Sequence, residues 1–101
     1  KSGVALDDVN LLANAIWRLP NLRLRGLMSI PDPVSEDELK RAHQKLKSLF
    51  DQLKHDHPVP EIFDTLSMGM TNDLKLAVIE GSTMVRVGTA LFGARPPKDT
   101  V

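Results

Sequence analysis

Cysteine is absent from this chain of 101 residues. That removes disulfides, thiolate nucleophiles and sulfur-ligated metals from consideration, and it is compatible with a reducing cytoplasmic setting. Net charge is absent as well. Lys and Arg number 13, Asp and Glu 13, so there is no broad field to draw in nucleic acid or an anionic membrane. No apolar run approaches the ~20 residues that a bilayer-spanning helix needs. Catalytic groupings are also missing: no Ser-His-Asp order, no paired carboxylates at a strand end, and no lysine at the expected rim. His55 and His57 stand two apart in a loop with no third ligand, so no metal site is expected.

What is present is an alternation of helix and strand. Asp7 or Asp8 can cap a first helix with Val9, Leu12, Ala13, Ile16 and Trp17 at helical spacing, ending before Pro20. Leu22 to Ile30 suits a strand stopped by Pro31 and Pro33. Ser35 with Glu38 forms a capping box for a helix running to about Lys54. Its apolar stripe is Leu39, Ala42, Leu46, Leu49, Phe50 and Leu53, and its basic face reads as a solvated surface. A strand from Ile62 to Leu66, a helix from Leu74 to Glu80 stopped by Gly81, a strand from Met84 to Val87 and a short helix complete the order. Such alternation predicts parallel strands joined by right-handed crossovers, an α/β fold.

Two strand ends carry the functional signal. Met84-Val85-Arg86-Val87-Gly88-Thr89 runs from a strand through Gly-Thr into a helix start, and Thr65-Leu66-Ser67-Met68-Gly69-Met70-Thr71-Asn72-Asp73 does much the same. Glycine lets a backbone approach a ligand closely, and hydroxyls and first-turn N–H groups suit a phosphoryl anion. In a parallel sheet these ends lie side by side on one face. The expected grip is Ser67, Gly88 and Thr89, with Arg86 delivered to the same rim and Met28 and Met70 as wall residues. Arg86 near a heteroaromatic nitrogen would keep it unprotonated and weaken an electron sink; its other reading is a salt bridge with a nearby acid. Met28, Met68 and Met70 all read as walls over a flat ligand, and all three also read as plain core packing.

Three segments, Leu19 to Pro31, Leu66 to Asp73 and Gly81 to Arg95, together resemble the pyridoxal phosphate homeostasis proteins. The resemblance spans Lys1 to about Arg95. It implies a fold that is the C-terminal part of an alanine-racemase-like TIM (β/α) barrel, as one pyridoxal 5′-phosphate (PLP) binding domain over residues 1–95 with a flexible tail at 96–101. It implies a non-catalytic, cytoplasmic PLP-binding protein that buffers the cofactor or delivers it to PLP-dependent apoenzymes. Ser67, Gly88 and Thr89 then look like phosphate ligands, Arg86 faces the pyridine nitrogen, and Met28 and Met70 line the pocket. The family's Schiff-base lysine belongs to an N-terminal half-barrel that is missing here, and Lys1 matches only a Lys-x-Gly segment. Opening on Lys1-Ser2-Gly3, the chain reads as a truncated piece of a larger domain. A PLP-dependent amino-acid racemase is the alternative; such enzymes use a tyrosine base, and tyrosine is absent. An isolated or engineered half-barrel without its own function is the third reading.

Overall fold

A serine and three acidic residues start the longest helix. The Ser35 hydroxyl accepts the Glu38 N–H at 3.2 Å, and Glu36, Asp37 and Glu38 complement the helix dipole. In the computed structural model, which describes residues 3–32 and 35–94, this helix is α2, Glu36–Asp56. It follows helix α1, Val9–Trp17, and strand β1, Gly26–Met28. After it come β2 (Thr65–Met70), α3 (Leu74–Ile79), β3 (Met84–Arg86) and α4 (Thr89–Phe92). Lys1 and the expected tail at 96–101 lie outside the described residues.

The three strands form one sheet in the order β1-β2-β3, with both pairings parallel. Leu66 and Met68 of β2 are fully buried beneath Leu46, Phe50 and Leu53 of α2 and Ala77 of α3. Phe50 stacks on Phe63, with ring centroids 5.1 Å apart. The opposite face carries Gly26, Met28, Thr65, Ser67 and Met84 around a shallow open concavity of about 350 Å³. One face is therefore covered by helices and the other is open.

Two strands differ from the expectation. Only Gly26–Met28 of the 22–30 segment is strand, because its ladder partner starts at Thr65 and Arg25 O already accepts the N–H groups of Asp64 and Thr65. The second strand lies later than Ile62 to Leu66: Pro60–Ile62 is a single 3-10 turn, and β2 continues through Ser67 to Met70. Proline at the first position favours that turn. Residues 71–73 lead from β2 into α3. They form a 3-10 turn, and Asp73 does not cap α3 but turns back to accept the Met70 N–H at 2.8 Å. Asp8 likewise makes no capping bond for α1.

Glycine is required at two places in the sheet. A Cβ on Gly26 would lie 1.5 Å from the Thr65 carbonyl oxygen, so only glycine allows β1 to approach β2 there. Gly69 has φ +100°, and a Cβ on it would meet the Ala77 Cβ at 2.5 Å. Between Ser67 and Met70 the β2–β3 register shifts. Side-chain hydroxyls fill in for ladder bonds: Thr83 Oγ1 accepts the Leu66 N–H at 2.7 Å, and the Ser82 hydroxyl lies 2.7 Å from Met68 O.

Candidate functional site

Parallel pairing brings the C-terminal ends of the three strands together, because Met28 is in register with Ser67 and Met70 with Arg86. Arg86 joins all three. Its guanidinium donates from Nη1 to Ser67 O at 3.1 Å and to Ser67 Oγ at 2.5 Å, and from Nη2 to Ser29 O at 2.7 Å. No carboxylate among the described residues lies within ion-pair reach of it, so the expected alternative of a salt bridge is not what the structure shows. Its charge is held by neutral oxygens, and some of its five N–H donors remain for a ligand.

Ser67 is buried, while Met28 and Met70 are 60% and 42% exposed. Met28 and Met70 are thus not core packing, whereas Met68 is; the exposed two stand at the open ends of β1 and β2. Gly88 occupies the N-cap position of α4, and Phe92 N–H donates to its carbonyl at 2.8 Å. A Cβ there would meet no atom within 4 Å, so the backbone of this junction faces open space. Thr89 is exposed beside it. The start of α4 is tied to the β2 end by Thr71 Oγ1, which accepts the Ala90 N–H at 3.2 Å. The six expected residues accordingly fall at one end of the sheet: Arg86 contacts Ser67 directly, Met28 and Met70 flank the pair in register, and Gly88 and Thr89 follow one strand end.

A family model described as alanine racemase, N-terminal domain, matches residues 1–96. Curated relatives named pyridoxal phosphate homeostasis protein are 52% identical over 96 residues in Haemophilus influenzae and 56% identical over 96 residues in Vibrio alginolyticus, covering 94% of this chain and 40% of theirs. The chain belongs to the pyridoxal phosphate homeostasis protein family. Solved structures agree. The structure of PipY of Synechococcus elongatus with PLP bound aligns with a TM-score of 0.78 at 32% identity, over 92% of this chain and 44% of that one. A Bifidobacterium adolescentis protein of unknown function aligns with a TM-score of 0.83 at 40% identity, over 91% of this chain and 37% of that one.

This family member spans about two fifths of the length of the curated relatives it matches. Its parallel α/β arrangement fits part of a TIM barrel. The expectation of a C-terminal segment is corrected in one respect: the matched model describes the N-terminal domain of alanine racemase, and the chain is a part of that domain. No helix of the described residues is long and apolar enough to cross a membrane. Among the same residues no cluster of His, Asp and Glu could hold a metal; His57 is instead buried, accepts the Val59 N–H on Nδ1 and packs edge-on against Trp17.

A larger concavity than the one at the candidate site lies to one side of it. A groove of about 1020 Å³ runs between α1, the outer edge of β1 and the N-terminal half of α2. It reaches the site only at Met28 and Ser29, and elsewhere exposes Val4, Leu6 and Leu12. Apolar lining of that kind suits packing against protein rather than a phosphoryl anion.

Sequence reasoning missed the support beneath the site. Asp73 links the turn after β2 to His43 of α2, with Oδ2 2.8 Å from His43 Nε2. Burial disfavours the Asp73 charge, but the Met70 N–H and the His43 ring outweigh it and hold the carboxyl below the usual aspartate range. The available signal was a histidine at helical spacing from Leu39 and Leu46, inside the apolar stripe.

Proposed function

We propose that this chain supplies the phosphate and pyridine side of a PLP site in a non-catalytic PLP homeostasis protein. The observation that carries the reading is the Arg86 guanidinium bonded to Ser67 and Ser29 on the open sheet face, in a chain about half identical to proteins of that name. Under this reading residues 1–95 belong to one cofactor-binding domain with a tail at 96–101, the protein is cytoplasmic, and apoenzymes that need PLP receive it there. The part of the barrel outside this chain supplies the covalent anchor.

The residues present fit the group. Gly88 leaves open space where a Cβ would stand, and the Gly88 and Thr89 N–H groups and the Thr89 and Ser67 hydroxyls are donors suited to a dianionic phosphate. Met28 and Met70 offer polarizable walls to a flat ring. Bound PLP supplies an electron-poor ring able to stabilise negative charge on a substrate carbon. Arg86 works against that use. A guanidinium does not release its proton, so a pyridine nitrogen that accepts a hydrogen bond from it stays unprotonated. The arginine therefore favours holding the cofactor over turning it over, and this chain contributes no tyrosine as a second base.

The test is a titration of the full-length protein with PLP, followed by visible absorbance. Saturable binding is expected, with no racemisation of amino acids above background. Thr89→Ala should weaken PLP binding by about tenfold, the worth of one hydrogen bond to a charged group. A full-length protein that takes up no PLP refutes the reading.

A further inference from the structure

Helix α2 carries one polar side chain deep in the interior. His43 is fully buried, and its Nδ1 has no hydrogen-bond partner. A leucine would occupy the same place without leaving a nitrogen unpaired, so packing alone does not account for the imidazole. Its other nitrogen, Nε2, lies 2.8 Å from Asp73 Oδ2. Asp73 Oδ1 in turn accepts the Met70 N–H at 2.8 Å. Two residues before Asp73, in the same 3-10 turn, Thr71 Oγ1 accepts the Ala90 N–H at 3.2 Å. One connected set of bonds thus runs from the interior of α2, through the turn at 71–73, to the first turn of α4. It touches both segments that border the proposed cofactor site.

We propose that His43 is a positioning residue for that site: by holding Asp73 it fixes the Thr71–Asp73 turn, and through that turn the spacing between the Ser67–Met70 end of β2 and the Gly88–Thr89 junction. This inference rests on the PLP reading above. An anion held by donors from two segments depends on the distance between them far more than a ring packed against side chains does. Loosening the turn therefore weakens the hold on the phosphate more than the hold on the ring.

The experiment compares His43→Leu with His43→Gln in the full-length protein, using PLP and its phosphate-free counterpart, pyridoxal, as probes. Glutamine keeps an N–H that can reach Asp73, whereas leucine keeps only volume. The expected result is that H43L raises the PLP Kd about tenfold, leaves pyridoxal within about twofold, and speeds hydrogen exchange at the Met70 and Ala90 amides but not at Met68. H43Q should restore both readouts. An H43L protein with unchanged PLP affinity and unchanged exchange overturns the proposal, as does a loss that falls equally on PLP and pyridoxal and is not rescued by glutamine. If H43L does not fold, Thr71→Val decides, because it removes the acceptor for the Ala90 N–H from a turn near the surface; unchanged PLP affinity then overturns the relay. A wild-type protein that binds no PLP removes the functional reading itself, whereas a wild type that binds beside an unaffected H43L removes only the role of His43.

Discussion

At the scale of single residues, contacts of a few ångströms decide what the chain tolerates. Gly26→Ala would push a methyl against the Thr65 carbonyl, 1.5 Å away, and backbone cannot move aside as a side chain can. We expect a loss of about 3 kcal/mol or more in urea denaturation of the full-length protein, at the upper end of overpacking effects. Asp73 makes a prediction about pH. Its folded pKa is held below that of the free side chain, so its contribution to stability is complete above about pH 4 and is lost as pH falls through the folded value. Asp73→Asn should cost about 1–2 kcal/mol near neutrality. The gap to wild type should narrow on acidification below about pH 4, which denaturant midpoints taken at several pH values would show. Glycine at the strand end and arginine at the rim were legible in the sequence, because their chemistry is intrinsic to the residue type. The His43–Asp73 pair was not, because the partners stand 30 positions apart and only the packing of α2 beside the turn brings them together.

At the scale of elements, the order of helices and strands was readable from spacing and capping, while strand boundaries were not. The α2 stripe gave Leu46, Phe50 and Leu53 correctly as interior, since a 21-residue amphipathic helix with a serine cap has one way to lie on a sheet. Strand β1 came out shorter than its alternating pattern suggested, because it can start only where its partner β2 starts, at Thr65. Strand β2 came out later, because Pro60 set a turn and Lys54 reaches across it to Pro60 O at 2.8 Å and Phe63 O at 2.9 Å. That lysine closes the connection between α2 and β2 from the helix side. Lys54→Met keeps the aliphatic stem but leaves two partly buried carbonyls without their donor. A loss of about 1–2 kcal/mol in thermal or urea unfolding is expected, with faster hydrogen exchange confined to the 57–63 connection.

At the scale of the whole molecule, the described chain is too extended to be a finished globule. Its radius of gyration is 15.4 Å, against about 13 Å for a compact domain of this length. One sheet face stays open, and large apolar side chains such as Leu11 and Phe92 are 74% and 85% exposed. The outer edges of β1 and β3 carry no partner strand among the described residues. On its own the 101-residue chain should therefore self-associate in a concentration-dependent manner, seen as a rising sedimentation coefficient between micromolar and tens of micromolar. A single monomeric species throughout would contradict this.

The sheet order has a further consequence. Because β1, β2 and β3 stand side by side in the order in which they are synthesised, β2 and β3 each leave the ribosome with one neighbour already made. Among the described residues only consecutive strands pair. The exception is the guanidinium of Arg86, which reaches back 57 positions to the Ser29 carbonyl. Those bonds close only after the last of the three strands has arrived, so the proposed cofactor grip forms late in the assembly of this stretch of polypeptide.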